Sequence, residues 1–133
     1  MNTLAVMVDL LKAQSALNAL TSGRIYGAQL PAGGKTIFPC VLIVRTPGGN
    51  SDVDVPTESV HFDIRCYGNN QPEANSLYAA LQAINGLERT TVGSAHVYRI
   101  EEMMGGCDLP EQVSDSERWD CVFCSYILEL SAA

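Results

Sequence analysis

Basic residues are scarce in this sequence. Eight Lys and Arg stand against fifteen Asp and Glu, a formal net charge of −7 over 133 residues. A protein that grips DNA or RNA normally carries a basic stripe, because affinity comes from neutralised phosphates. Lys12, Lys35, Arg24, Arg45, Arg65, Arg89, Arg99 and Arg118 are instead spread singly, which argues against tight nucleic-acid binding. An acidic surface can still face DNA as a repelling wall. Long apolar runs are missing too: none approaches the roughly 18 residues needed to span a bilayer. The opening Met1-Asn2-Thr3-Leu4 has no basic start of the secretory kind, and Asp9 interrupts its apolar stretch. Five cysteines are an odd count that makes no complete disulfide framework, so the sequence reads as a cytosolic chain with reduced thiols.

What is present suits one folded domain over residues 1–133. The hydrophobic fraction is 47% and the charged fraction 17%, values that argue against disorder. Leu4, Met7, Val8, Leu11, Leu17 and Leu20 recur at helical spacing and predict a helix over residues 3–20, capped by Asn2 or Thr3 and stopped at Gly23. Ile25-Tyr26 reads as a short strand and Cys40 to Val44 as a strand covered on both faces. Pro47 to Asp52 is a breaker cluster. In the next segment Val60, Phe62, Ile64 and Cys66 alternate with His61, Asp63 and Arg65, the signature of one buried and one wet face.

Pro72 and Glu73 open a second helix whose apolar face is Ala74, Leu77, Tyr78, Leu81 and Ile84, with Gly86 as its stop. Residues 95–104 read as a strand with His96, Tyr98 and Ile100 on one face and Val97, Arg99 and Glu101 on the other. A polar loop follows from Gly105 to Ser116. Residues 118–130 form the last strand, with Trp119, Cys121, Phe123 and Ile127 opposite Val122, Cys124, Tyr126 and Leu128. The expected fold class is α+β: a mainly antiparallel sheet of about four strands with two helices packed on one face.

Candidate chemistry is thin. Cys121 and Cys124 have CxxC spacing, but on a strand they point to opposite faces and cannot share one ion; they read as buried thiols. His61 lies on the polar face and Cys66 on the other, so they make no nucleophile–base pair. His96 reads as half-buried. Glu101 and Glu102 are adjacent on a strand and point apart. The acidic loop lacks the EF-hand pattern, and Asp52-Val53-Asp54 is likewise read as solvated. Gly33-Gly34-Lys35-Thr36 resembles the end of a phosphate loop, yet position 29 is Gln29 and a strand follows. No catalytic, cofactor-binding or metal residue is expected, and no enzymatic activity.

The ordered set of segments carries a resemblance. A leading apolar helix is followed by GRIYGAQLPAG (Gly23 to Gly33), FPCVLIVR (Phe38 to Arg45), VHFDIRCYG (Val60 to Gly68), PEANSLYAALQAI (Pro72 to Ile84), VYRIEEM (Val97 to Met103) and ERWDCVFCSYILEL (Glu117 to Leu130). Together they resemble the phage tail-completion or tail-terminator proteins of long-tailed phages and prophages, over nearly the whole chain. The resemblance implies a non-enzymatic virion component made in the bacterial cytoplasm. It would sit at the tail–neck junction as a ring of self-copies, usually six-fold. Its partners would be the tail tube protein and a head-side connector or stopper, with DNA passing through the lumen without specific binding and no membrane involved. The alternative in the same machine is a head-closure or head–tail adaptor subunit; a small thiol enzyme is the distant one.

Two surfaces are expected to matter in a ring, where strand edges and projecting hairpins are natural joints. The Thr46 to Thr57 arm is long for a turn, and Pro47, Gly48, Gly49, Asn50, Ser51, Asp52, Val53 and Asp54 are the candidate assembly hairpin. Glu101, Glu102, Asp108 and Glu111 are the candidate acidic wall of the lumen.

Overall fold

The computed structural model describes residues 2–32, 36–51, 57–115 and 117–132. Helix α1 spans Thr3–Lys12, and the Asn2 side chain accepts the Ala5 N–H at 3.0 Å to cap it. The single helix expected over residues 3–20 is broken: the chain leaves α1 at Ala13, turns extended at Gln14, and restarts as α2, Ser15–Thr21. Ser22 and Gly23 then take positive φ (52° and 78°) and end α2. Helix α3, Gln71–Leu81, has reciprocal caps. Asn70 accepts the Glu73 N–H at 2.9 Å and Glu73 accepts the Asn69 N–H at 2.9 Å. Pro72 sits in its first turn, and a 3-10 turn, Gln82–Ile84, extends its end.

The strands are β1 (Ile25–Gly27), β2 (Cys40–Ser51), β3 (Glu58–Gly68), β4 (Glu88–Val92), β5 (Ala95–Asp108), β6 (Glu111–Gln112) and β7 (Arg118–Ala132). They lie in the order β1-β2-β3-β7-β5-β4, with β6 also paired to β7. Among the described residues only the β1–β2 pairing is parallel. This overturns the expected α+β class of about four strands and two helices on one face. Strand accounts for 50% and helix for 26%, and seven strands curl into a half-barrel. The extra strands have physical causes. Polar β4 lies mostly exposed as an outer hairpin strand, and two-residue β6 is too short to show a period. β2 and β5 run on through residues expected to be loops: Pro47 to Ser51, and Gly105 to Asp108.

Alternation sorts the side chains into two cores. On the inner face Ile43, Phe62, Ile64, Ile100, Tyr126 and Leu128 meet Met7, Leu11, Leu17, Leu77, Leu81 and Ile84 from the helical layer, and every one is fully buried. Each such side chain contributes roughly 1.5–3 kcal/mol of transfer free energy. The strand parity expected for β3 and β7 holds. That of β5 does not: a register shift between Val97 and Arg99 puts Ala95, Val97 and Ile100 inside, not His96, Tyr98 and Ile100.

A smaller core lies on the outer face. Cys40, Leu42, Tyr67 and Cys121 are buried there under Tyr26, Leu30, Phe38 and Trp119. Phe38 and Tyr67 meet Trp119 edge-on at centroid distances of 5.1 and 5.5 Å, geometry that adds to simple area burial. Beyond this core the outer face is half-exposed. Cross-strand rows run Leu42–Arg65–Phe123–Cys107, then Val44–Asp63–Ser125–Met104, then Thr46–His61–Ile127–Glu101.

Candidate assembly surfaces

The groups that thiol or metal chemistry would need are kept apart. Cys121 lies in the outer core and Cys124 in the inner one, as strand parity requires. Burial pushes the Cys40 thiol up to about 11 and the Cys121 thiol to about 12, and raises Cys66 and Cys124 as well. Such thiols stay protonated and poorly nucleophilic at neutral pH. His61 is half-exposed, whereas His96, expected half-buried, is exposed because the β5 register shift turns it outward. Among the described residues no group of three or more His, Cys, Asp and Glu is placed to hold a metal ion. Among the described residues no helix is long and apolar enough to cross a membrane. Gly33, Gly34 and Lys35 lie outside the described residues.

The candidate hairpin is part loop and part strand. Asp52, Val53 and Asp54 lie outside the described residues. Pro47, Gly48, Gly49, Asn50 and Ser51 belong to β2, not to a breaker loop. Asn50 and Ser51 pair with Ser59 and Glu58, and the register slips between Thr46 and Asn50. That slip is why a proline is tolerated: Pro47 to Gly49 lie in the bulge, where no ladder bond asks for an N–H. Gly48 and Gly49 have φ of 124° and 75°, and a Cβ on either would collide, with the His61 ring and the Ser59 carbonyl respectively.

The four candidate lumen acids do not form one wall. Glu101 is on the outer face and pairs with Arg99. Glu102 points the other way, accepting the Tyr78 hydroxyl at 2.7 Å. Asp108 accepts Gln71 Nε2 at 3.0 Å. Glu111 accepts the Tyr67 hydroxyl at 2.9 Å and lies 3.4 Å from Arg65 Nε. Glu102, Asp108 and Glu111 therefore fasten the lower end of β5, and β6, to α3 and β3.

That fastened segment, residues 103–113, is an arm that sequence patterning missed. Met103, Met104, Leu109 and Val113 are 40–50% exposed on it. Their one sequence signal, apolar residues scattered through a Gly- and acid-rich stretch, has no regular period.

The strand edges carry devices that discourage strand addition. β1 covers β2 only at Val41 to Ile43; the edge beyond bears exposed Arg45, Pro47 and the bulge. On the other margin, below β4, Asn85 Oδ1 accepts the Glu102 N–H at 3.0 Å and the Tyr78 hydroxyl accepts the Gly106 N–H at 2.8 Å. Among the described residues, apolar side chains are exposed on the arm and half-exposed or exposed on the outer rows at Phe123, Ile127 and Met104.

No family model matches the sequence, and no curated protein matches it. A solved structure does share its fold. A chain of the virion of a native gene transfer agent particle superposes with a TM-score of 0.69 at 14% identity, covering 99% of this chain and 100% of that one.

Proposed function

We propose that this chain is a structural component of a phage-like virion, and more narrowly a tail-terminator (tail-completion) subunit. In this reading copies form a ring at the tail–neck junction that caps the tail tube and joins it to the head-side connector or stopper. The observation that carries the proposal is the end-to-end likeness of fold to a chain of a gene transfer agent virion. The order of sequence segments supports the narrower reading. The four buried thiols, all pushed up in pKa, are poor candidates for a nucleophile, which leaves exposed Cys107 as the thiol to test for an enzyme. DNA would pass a ring of net-negative subunits without specific binding, since like charge keeps it from sticking.

The test is to mix the purified chain with tail tubes assembled without heads and image them in negative stain. Density capping one end of each tube is the expected result. Binding to isolated head connectors but not to tubes would identify an adaptor instead, and binding to neither would end the proposal.

A further inference from the structure

We propose that the outward side of the β4–β5 hairpin is a phosphate-binding cleft that takes one nucleotide unit, with Arg89, Thr91 and His96 on the phosphate and the Tyr98 ring under the base. Register brings these four together. Thr91 pairs with His96. Arg89 lies between Glu88 and Thr90, which pair with Arg99 and Val97, so it stands opposite Tyr98. Residues two apart on a strand share a face, which makes Arg89, Thr91, His96 and Tyr98 a two-by-two array. All four are exposed. With Thr90 and Val97 between them they line one cleft of about 290 Å³, near the roughly 300 Å³ at which small-molecule sites begin.

The lining differs in chemistry from the rest of the chain. Acids outnumber bases fifteen to eight overall, yet no carboxylate lines this cleft. Glu88 and Glu129 flank Arg99 in the ladder, and Glu101 pairs with it, so the hairpin's acids gather around Arg99 instead. Arg89 takes no part in either ion pair among the described residues. Its guanidinium, the Thr91 hydroxyl and the His96 ring supply N–H and O–H donors, and a guanidinium fork matches phosphate oxygens two at a time. Among the described residues Tyr98 is the one aromatic side chain in the set of exposed large apolar groups. Its hydroxyl is tied to Ser131 Oγ at 3.0 Å, which holds the ring as a platform. Every base has a π-face, so stacking there does not depend on sequence.

The backbone adds a second observation. Arg89 has φ of 50°, in the left-handed region that glycine enters freely and arginine does not. Strain at an exposed position points to a residue kept for its side chain. With one arginine in the cleft the contact is weak, in keeping with the scarcity of basic residues. It requires neither a ring nor a tail.

The test follows backbone amide signals of the isolated, isotope-labelled chain by nuclear magnetic resonance. The probes are thymidine monophosphate, thymidine, inorganic phosphate, an oligothymidylate and acetate, all at equal ionic strength. Thymidine monophosphate should move the signals of Thr91, His96 and Tyr98, and thymidine and acetate should bind at least about tenfold more weakly. Oligothymidylate binding should fall with sodium chloride at a log–log slope on the order of −0.7, the value for one phosphate of a single strand. Arg89→Gly should lose about tenfold in phosphate affinity and unfold in urea no earlier than the parent, because glycine suits that φ. His96→Ala, at an exposed position, is a second variant that should weaken phosphate binding. Tyr98→Leu should weaken the monophosphate and leave inorganic phosphate unchanged. An oligothymidylate that binds more tightly than the monophosphate identifies a nucleic-acid strand as the source; equal binding identifies a free nucleotide. Phosphate probes that leave these signals in place overturn the inference. So do variants at Arg89 and His96 that bind like the parent, and so does acetate as strong as phosphate, which would make the occupant a protein carboxylate. The tail-terminator reading is decided separately, by the capping of tubes.

Discussion

The Tyr78 ring occupies the space that a side chain at Gly106 would need. Its hydroxyl accepts the Gly106 N–H at 2.8 Å, and a Cβ there would lie 2.5 Å from ring atom Cε2. The same hydroxyl donates to Glu102 and accepts Gln82 Nε2 at 2.8 Å, so one tyrosine gathers α3 and the lower half of β5. Gly106→Ala must displace the ring, and Tyr78→Phe removes all three bonds. Each change is expected to cost about 1–3 kcal/mol in urea unfolding. The two costs should be markedly non-additive in the double variant, since both break one contact. Simple additivity would mean that the ring does not hold the arm.

Glu111 tests whether the arm's acids are fasteners or merely lining. Glu111→Ala leaves the almost fully buried Tyr67 hydroxyl and Arg65 Nε without their carboxylate. A loss of about 1–3 kcal/mol from the isolated chain is expected in denaturant unfolding. An acid that only faced a lumen would leave the isolated chain's stability unchanged.

The thiols should divide four to one. Cys107 is exposed and the other four are buried. An aromatic disulfide reagent at neutral pH is expected to titrate one thiol quickly and the remaining four only at the rate of unfolding. A second fast thiol would contradict the two-core arrangement.

Alkali should unfold the protein through the same groups. Burial raises Cys40 to about 11 and Cys121 to about 12 from a thiol's ordinary 9.0. Tyr67 and Tyr126 are raised too, by burial first and by nearby Glu111 and Glu102 respectively. The unfolded chain releases these protons at lower pH than the folded one, so rising pH favours unfolding. Stability from these groups is complete below about pH 9 and falls away as pH climbs through about 11 to 12. Melting temperature measured against pH should show that decline, with Trp119 fluorescence reporting loss of the outer core.

Removing residues 48–53 should separate folding from assembly. β2 pairs with β3 from Cys40 to Thr46 before the bulge, so the shortened chain is expected to keep its circular dichroism spectrum. It should no longer form rings or join tails. Unchanged assembly would reject the hairpin's role.

Where patterning was regular, the sequence was readable. β3 alternates without a break from Val60 to Cys66, and its faces, like those of β7, follow from parity alone. β5 was misread for one residue's sake: the shift at Val97/Arg99 exchanges inside for outside, and two more shifts follow before Asp108. β4 presents Glu-Arg-Thr-Thr-Val with little buried, so its place depends on its β5 neighbour and not on its own composition. α1 and α2 share one apolar rhythm, and the break at Ala13 and Gln14 carries no Gly or Pro to mark it. Of the assembly surfaces, the hairpin's glycines were visible, but the arm was not. Its carboxylates look solvated until the tertiary fold supplies Tyr67, Gln71 and Tyr78 as donors.

The placement of β7 between β3 and β5 has a consequence for biogenesis. The strand translated last of the seven is the keystone of the sheet: β3 and β5 each pair with β7 and are joined only through it. Until residues 118–132 are available, β3 and β5 lack their common partner and the inner core lacks Val122, Cys124, Tyr126, Leu128 and Leu130. Maturation is therefore expected to be late and comparatively slow, set by contacts between residues some 60 positions apart, such as Ile64 with Cys124. During that interval the unfinished chain would be a client for chaperones and not yet a building block.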